Sequence, residues 1–256
     1  MIGKTLDRKM AKLHKIKKQS EKQRVAYNII SKDYDWVQNK SFIGKLKFHN
    51  YRQVKKKLVN GSLLDIGTGN GDFFKIRGIT NRPIKAFDVS DKMIEMAKKN
   101  IKKKVHFFRA DLETISLKKK FDNIISINVL HRAEEKKFIK LVKNCSNKKT
   151  KIIIVTINFY SPQFLVIRFI QKLFRIFGYN FGDHVLKKGY SDNDIKKNFK
   201  DFKVIKIENH GYFHNFLRFE CGFFLDKIFS FLDEHLSKIP IINLFGVCKL
   251  IVLKKY

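Results

Sequence analysis

Leu63-Leu64-Asp65-Ile66-Gly67-Thr68-Gly69-Asn70-Gly71-Asp72 is the stretch from which the fold of this 256-residue chain is read. An apolar run interrupted by one carboxylate leads into three glycines at alternate positions. Glycine permits a sharp turn out of a strand and lets a ligand come into contact with the backbone. The pattern predicts a strand, a tight loop and then a helix. Its spacing also selects among ligands. A dinucleotide-binding loop reads G-x-G-x-x-G and packs pyrophosphate on a helix N-terminus. Counted from Gly67, the third glycine of that pattern falls on Asp72, where an acid would face a phosphate. NAD and FAD are therefore disfavoured, and the absence of G-x-x-x-x-G-K-S/T after the strand removes the P-loop reading.

Outward from the loop the chain alternates. Short apolar runs at residues 62–66, 84–87, 105–108, 123–127 and 152–157 predict strands, with helical patterns at 91–100 and 133–144 between them. Nearly continuous apolar strands separated by helices argue for a parallel sheet covered on both faces. Strands at 202–208 and 247–253 complete it. The expected fold class is α/β: a Rossmann-like, seven-stranded, mostly parallel sheet with helices on both faces and a late helical cap. The expected domains are a basic N-terminal arm with lid helices at 1–58 and a main domain at 59–256. Cap insertions are expected at about 160–198 and 212–245. In the first, residues 164–177 are apolar almost all round, with Arg168, Lys172 and Arg175 as a narrow cationic stripe. In the second, 213–236 carries Asp226 and Asp233 in its polar stripe, which favours burial against the core.

Four segments in order resemble the class I S-adenosylmethionine-dependent methyltransferases. Asp65-x-Gly67-x-Gly69-x-Gly71 resembles that family's first motif, and Ala86-Phe87-Asp88-Val89-Ser90 the end of its second strand. Arg109-Ala110-Asp111-Leu112 resembles the third motif, and 121–131, ending Asn128-Val129-Leu130-His131, the fourth-strand segment. The resemblance covers roughly residues 60–160. It implies S-adenosyl-L-methionine as cofactor, held by Asp65, Gly67, Thr68, Gly69, Gly71, Asp88, Val89, Asp111, Leu112 and Asn128. By the same resemblance Asp65 meets the methionyl ammonium, Asp88 the ribose hydroxyls and Asp111 the adenine amino group. Val89 and Leu112 enclose the adenine ring. Such residue types suit a zwitterion that has a sulfonium and no phosphate. A carboxylate accepts several hydrogen bonds at once, as vicinal hydroxyls require.

The fourth-strand segment lacks the Asn/Asp-Pro-Pro-Tyr/Phe turn of enzymes that methylate exocyclic amines of nucleobases. It looks like the small-molecule branch, including the ubiquinone/menaquinone C-methyltransferase-like proteins. That implies O- or C-methylation of a small, apolar or lipid-like acceptor. His131 is the candidate general base, since imidazole titrates near neutral pH, and His184 is a weaker candidate. A structural, hydrogen-bonding part for His131 stands beside that reading.

Composition bounds the rest. Hydrophobic residues make up 44%, which excludes a disordered chain. Three separated cysteines, Cys145, Cys221 and Cys248, suit a reducing compartment and neither a disulfide framework nor a zinc site. No metal is expected. No apolar run is long enough to span a bilayer, and the N-terminus has no secretory signal. The expected location is cytoplasmic, with peripheral contact to an anionic membrane as an option. The net charge is +32, but it comes from 45 lysines against ten arginines. Arginine is the better phosphate clamp and is not enriched, so two readings of the charge stand side by side: A/T-rich codon usage, and binding to a polyanion. Residues 1–24 alone carry nine basic and two acidic groups. Two other readings stay open: an RNA methyltransferase that uses this charge, and a cofactor-binding scaffold without turnover.

Overall fold

The structure is a computed structural model that describes residues 16, 18–40, 42–102, 104–176, 188–211, 231–232, 235, 239, 242 and 244–256. Two helices come first, α1 (Gln19–Lys40) and α2 (Phe42–Lys57). Five parallel strands follow: β1 (Leu63–Ile66), β2 (Ile84–Asp88), β3 (His106–Arg109), β4 (Asn123–Ile127) and β5 (Lys151–Ile157). Helix α3 (Asp91–Asn100) connects β2 to β3, and α4 (Glu135–Cys145) connects β4 to β5. After β5 come α5 (Pro162–Ile176), α6 (Asp192–Asn198) and β6 (Phe202–His210). The last strand, β7 (Cys248–Lys255), inserts antiparallel between β5 and β6. The sheet order is β3-β2-β1-β4-β5-β7-β6. This is the Rossmann-like, mostly parallel seven-stranded sheet that the apolar runs imply.

Alternation along each strand divides the core in two. Leu63, Ile84, Ala86, Ile125, Ile153 and Val155 turn to the face covered by α2 and α3, where Tyr51, Val54, Ile94 and Ala97 meet them. Leu64, Ile66, Phe87, Ile124, Ile152 and Ile154 turn to the other face, against Phe138, Leu141 and Val142 of α4 and Ile195 of α6. Burial on both faces is why these strands lack the polar alternation of a half-exposed sheet. Strand order reverses between β1 and β4, which opens a crevice at the strands' C-terminal ends, where ligands bind in open α/β sheets.

The helix expected after the glycine loop is absent. A single 3-10 turn, Asp72–Lys75, stands there. Phe73 and Phe74 are drawn into the core, and Gly78 at φ 83° and Pro83 leave no room for another turn before β2. The α-helix expected from residue 133 starts at Glu135, because Leu130–Arg132 form a separate 3-10 turn. Ser90 caps α3 by accepting a hydrogen bond from Met93 N, and Ser191 with Asp194 makes a capping box for α6. The basic arm up to residue 15, His184, and most of the second cap segment lie outside the described residues.

Candidate active site

The crevice holds a cavity of about 410 Å³. Its floor is built from strand ends: Gly67, Thr68 and Gly69 after β1, Asp88 and Val89 at β2, Asp111 and Leu112 after β3, and Asn128 and Val129 after β4. Four segments distant in sequence meet here, because parallel strands deliver all their C-terminal ends to one edge. Of the residues anticipated from sequence, Asp65, Gly71 and His131 stand outside the lining.

Asp88 is the best-held carboxylate of the floor. Its Oδ2 accepts from Gly69 N at 3.0 Å and its Oδ1 from Ser90 N at 2.9 Å. Burial raises its pKa all the same, against those hydrogen bonds. Asp65 lies beneath the loop, and burial, followed by the neighbouring Asp88 charge, pushes its carboxyl up to about 7. Two close carboxylates in low dielectric resist joint ionisation. Gly67 has φ 77°, and a Cβ there would lie 2.2 Å from Val129 Cγ2. The loop therefore runs flush against the β4 end. Gly71, also at φ 77°, instead meets Ala97 of α3, so it seats the loop on the helix. Asn128 is the single non-glycine residue at positive φ (61°) among the described residues, a strained position of the kind found at functional sites.

Asp72 does not face the cavity. Its carboxylate is fully buried, with Lys47 Nζ at 2.6 Å, Lys75 Nζ at 2.6 Å and Asn70 Nδ2 at 2.9 Å. Asp72, which is not among the expected cofactor residues, is thereby a structural charge tied to α2.

Helix α1 forms the roof. It reaches the end of β3 through Asp111, whose Oδ2 accepts from Lys18 Nζ and Ser20 Oγ, both at 2.8 Å. It reaches the segment after β4 through Gln19 Nε2, which donates to Arg132 O at 2.9 Å. It reaches the start of α3 through Asn28 Oδ1, which accepts from Ser90 Oγ at 2.6 Å. Burial pushes Asp111 upward, but Lys18, Glu113 N and Ser20 together hold it below the usual carboxylate range. Gln23, Ala26, Tyr27 and Ile30 of α1, with Leu46, Asn50 and Tyr51 of α2, complete the walls. Of these, Ala26 and Tyr27 belong to the Ala26-Tyr27-Asn28 stretch, which resembles the small-molecule branch's N-terminal helix that closes over the cofactor, whereas the others were not named from sequence. The available signal was the absence of glycine and proline from Gln19 to Lys40, which permits a long helix ahead of the sheet.

His131 is buried behind Arg132. Arg132 Nε donates to His131 Nε2 at 3.0 Å, and Nδ1 lies 3.4 Å from Thr156 Oγ1. With Nε2 accepting, the proton belongs on Nδ1, directed at Thr156. Burial lowers the pKa of His131 to about 3. An imidazole with both nitrogens engaged fixes the Arg132 guanidinium, which lies over the Tyr27 ring at 5.4 Å. Arg132, in the lining, is the residue that sequence reasoning passed over by one position. Among the described residues no group of three His, Cys, Asp or Glu is arranged to hold a metal.

Residues 63–148 match the family model described as a methyltransferase domain. Among solved structures the chain is similar to an S-adenosylmethionine-dependent methyltransferase of Thermotoga maritima, described as a possible histamine N-methyltransferase. Identity is 16% and the TM-score 0.61, over 90% of this chain and 99% of that one. It is also similar to magnesium protoporphyrin IX methyltransferase (ChlM) of Synechocystis, solved with bound SAH. There identity is 13% and the TM-score 0.60, over 93% and 100% of the two chains. A third likeness is to DhpI in its SAH complex, at 12% identity and a TM-score of 0.60, over 93% and 97%. These likenesses are of fold. No curated protein matches the chain by sequence.

Proposed function

We propose that this chain, whose residues 63–148 match a methyltransferase-domain model, is a class I S-adenosylmethionine-dependent enzyme that transfers a methyl group to a small, apolar, lipid-like acceptor at carbon or oxygen. The observation that carries the reading is Asp88, held by Gly69 N and Ser90 N at the rim of an otherwise largely apolar cavity. Each oxygen uses one acceptor position on the backbone and keeps another for a ribose hydroxyl. The donor set suits a cofactor without phosphates. Of the basic residues in the lining, Lys47 is paired with Asp72, and Arg132 is stacked on Tyr27. The flush loop at Gly67 gives backbone contact to the methionyl part, with Asp65 beneath it for the ammonium. Val89 and Leu112 flank the adenine, and Asp111 is placed near its amino group while also tying down the roof.

S-adenosylmethionine supplies a methyl carbon already activated by its sulfonium. What the protein adds is alignment and exclusion of water. Helix α1, pinned at Asp111, Arg132 and Ser90, closes the cavity over the reacting partners. Ala26, Tyr27, Ile30, Leu46, Tyr51, Ile127 and Val129 line it. An apolar ring or chain gains by entering such walls. His131 is proposed as a positioning residue that orients Arg132.

Calorimetric titration with S-adenosylmethionine tests the proposal, using wild type beside Asp88→Ala and Asp88→Asn. Micromolar binding is expected, weakened at least about 100-fold in Asp88→Ala, since two charge-assisted hydrogen bonds contribute about 1.5–3 kcal/mol each. Circular dichroism establishes that each variant is folded. Folded wild type that binds no cofactor at millimolar concentration would sink the reading.

A further inference from the structure

Helix α5 presents an apolar stripe to solvent. Leu165, Phe169, Leu173 and Ile176 recur at helical spacing along one stripe, and Val166 widens it. Phe169 is 62% exposed, Val166 57% and Ile176 71%, while Phe164 and Gln171 on the opposite side are buried. Arg168 and Lys172 are exposed along one flank of the stripe. No aspartate or glutamate occurs from residue 136 through 182.

The stripe continues toward the cavity. Phe159 and Tyr160, just ahead of α5, are exposed, as are Leu244 and Phe245. Asn158 ties these two segments together, its Nδ2 donating to Leu244 O at 2.6 Å and Gly246 O at 2.7 Å. Two residues further on, Cys248 pairs with Ile157 in the sheet and lines the cavity. The exposed apolar residues therefore border the same strand edge as the proposed acceptor site.

We infer that α5, with Phe159, Tyr160, Leu244 and Phe245, docks this protein on the surface of an anionic lipid bilayer. The apolar stripe would enter the acyl boundary, and Arg168 and Lys172 would meet headgroup phosphates. An interfacial helix combines these features: an apolar face, a flanking cationic stripe and aromatic residues at the water boundary. Among the described residues no helix is long and apolar enough to cross a membrane, so the helix lies in the interface plane. The net charge of +32 supplies long-range attraction to anionic lipid. Docked this way, the cavity rim faces the membrane from which a lipid-like acceptor would come. That orientation rests on the proposed function, whereas the docking itself does not.

Co-sedimentation of the full chain with vesicles tests the inference, comparing phosphatidylcholine alone with phosphatidylcholine containing phosphatidylglycerol. Wild type is expected to partition onto the anionic vesicles and to release progressively with added salt. The double variant Phe169→Glu/Leu173→Glu should partition at least about tenfold more weakly, because two buried apolar side chains are replaced by charges. Both positions are exposed, so an unchanged melting temperature and unchanged S-adenosylmethionine binding mark the variant as folded. Equal vesicle binding by wild type and variant would overturn the inference, leaving bulk charge as the cause. Failure of wild type to bind anionic vesicles would also overturn it. So would loss of binding to a single-stranded RNA oligonucleotide in the variant with vesicle binding retained. Cofactor binding without vesicle binding removes only the docking inference, and the reverse result removes only the proposed function.

Discussion

Lys47 Nζ, on a helix that precedes the sheet, lies 2.6 Å from Oδ2 of Asp72, the acid that follows the last glycine of the loop. Both side chains are sealed from solvent, Lys47 at 7% exposure and Asp72 at 0%. Burial pushes the Asp72 carboxyl upward, but the charge and hydrogen bond of Lys47, helped by Lys75 and Asn70, bring it below its ordinary pKa. Helix α2 and the glycine loop are thereby one unit. Breaking such a pair from one side costs about 3–5 kcal/mol where no other partner remains, and here Lys75 still holds Oδ1 of Asp72, which places the loss at the lower end. Lys47→Met is expected to lose stability in that range by urea denaturation. The double variant Lys47→Met/Asp72→Asn should recover part of the loss.

Cofactor binding should release a proton below neutrality. Asp65, raised to about 7 by burial and by Asp88, is protonated in the free protein at pH 6, and an ammonium partner selects its ionised form. Affinity for S-adenosylmethionine is expected to climb as pH rises toward 7 and then level off. Titrations in buffers of differing ionisation enthalpy should read roughly one proton released at pH 6 and roughly none at pH 8. In Asp65→Asn this dependence should disappear.

His131 makes the fold sensitive to acid. Its folded pKa, about 3, lies below the unfolded value of about 6.5, so the unfolded chain takes up the proton first. The stability from keeping the ring neutral is present above pH 6.5 and is lost as pH falls toward 3. Between pH 6.5 and 5 the loss should be about 2 kcal/mol. Chemical denaturation at both pH values, on wild type and His131→Asn, measures it, and the variant should lack that part of the slope.

Two glycines at similar φ separate backbone strain from crowding. Gly78, at φ 83°, has nothing within 4 Å of an added Cβ, whereas at Gly67 that atom meets Val129 Cγ2 at 2.2 Å. Gly78→Ala should cost about 1–2 kcal/mol, the left-handed backbone penalty alone. Gly67→Ala adds overpacking and should reach at least about 3 kcal/mol. It should also abolish cofactor binding, because Val129 lines the cavity. Thermal melts beside calorimetry read both effects.

The sheet was legible because its strands are buried on both faces, so that runs such as Ile152 to Val155 stand out without any partner being known. The strand-end residues were legible for a related reason: parallel connectivity gathers Gly67, Asp88, Asp111 and Asn128 wherever the motifs recur in order. The roof was legible only in outline, as lid helices with the Ala26-Tyr27-Asn28 stretch among them. The partners of Gln19, Tyr27 and Asn28 are distant in sequence, so no local pattern announces those contacts. Asp72 was left out of the expected site, but its partner, Lys47, lies 25 positions away and could not be named from sequence. His131 looked reactive by type. Its environment, Arg132 on one nitrogen and Thr156 near the other, is visible only in three dimensions.

The place of β7 between β5 and β6 has a consequence for synthesis. Strand β5 ends at Ile157, and the segment that closes its outer edge begins at Cys248, about 90 residues later. While the ribosome makes the intervening chain, the edge from Lys151 to Ile157 has nothing to pair with. An unpaired apolar edge templates association with other chains. Neighbouring nascent chains on one message carry the same open edge, so chaperone occupancy during elongation should set the yield of native protein more strongly than the stability of the finished fold.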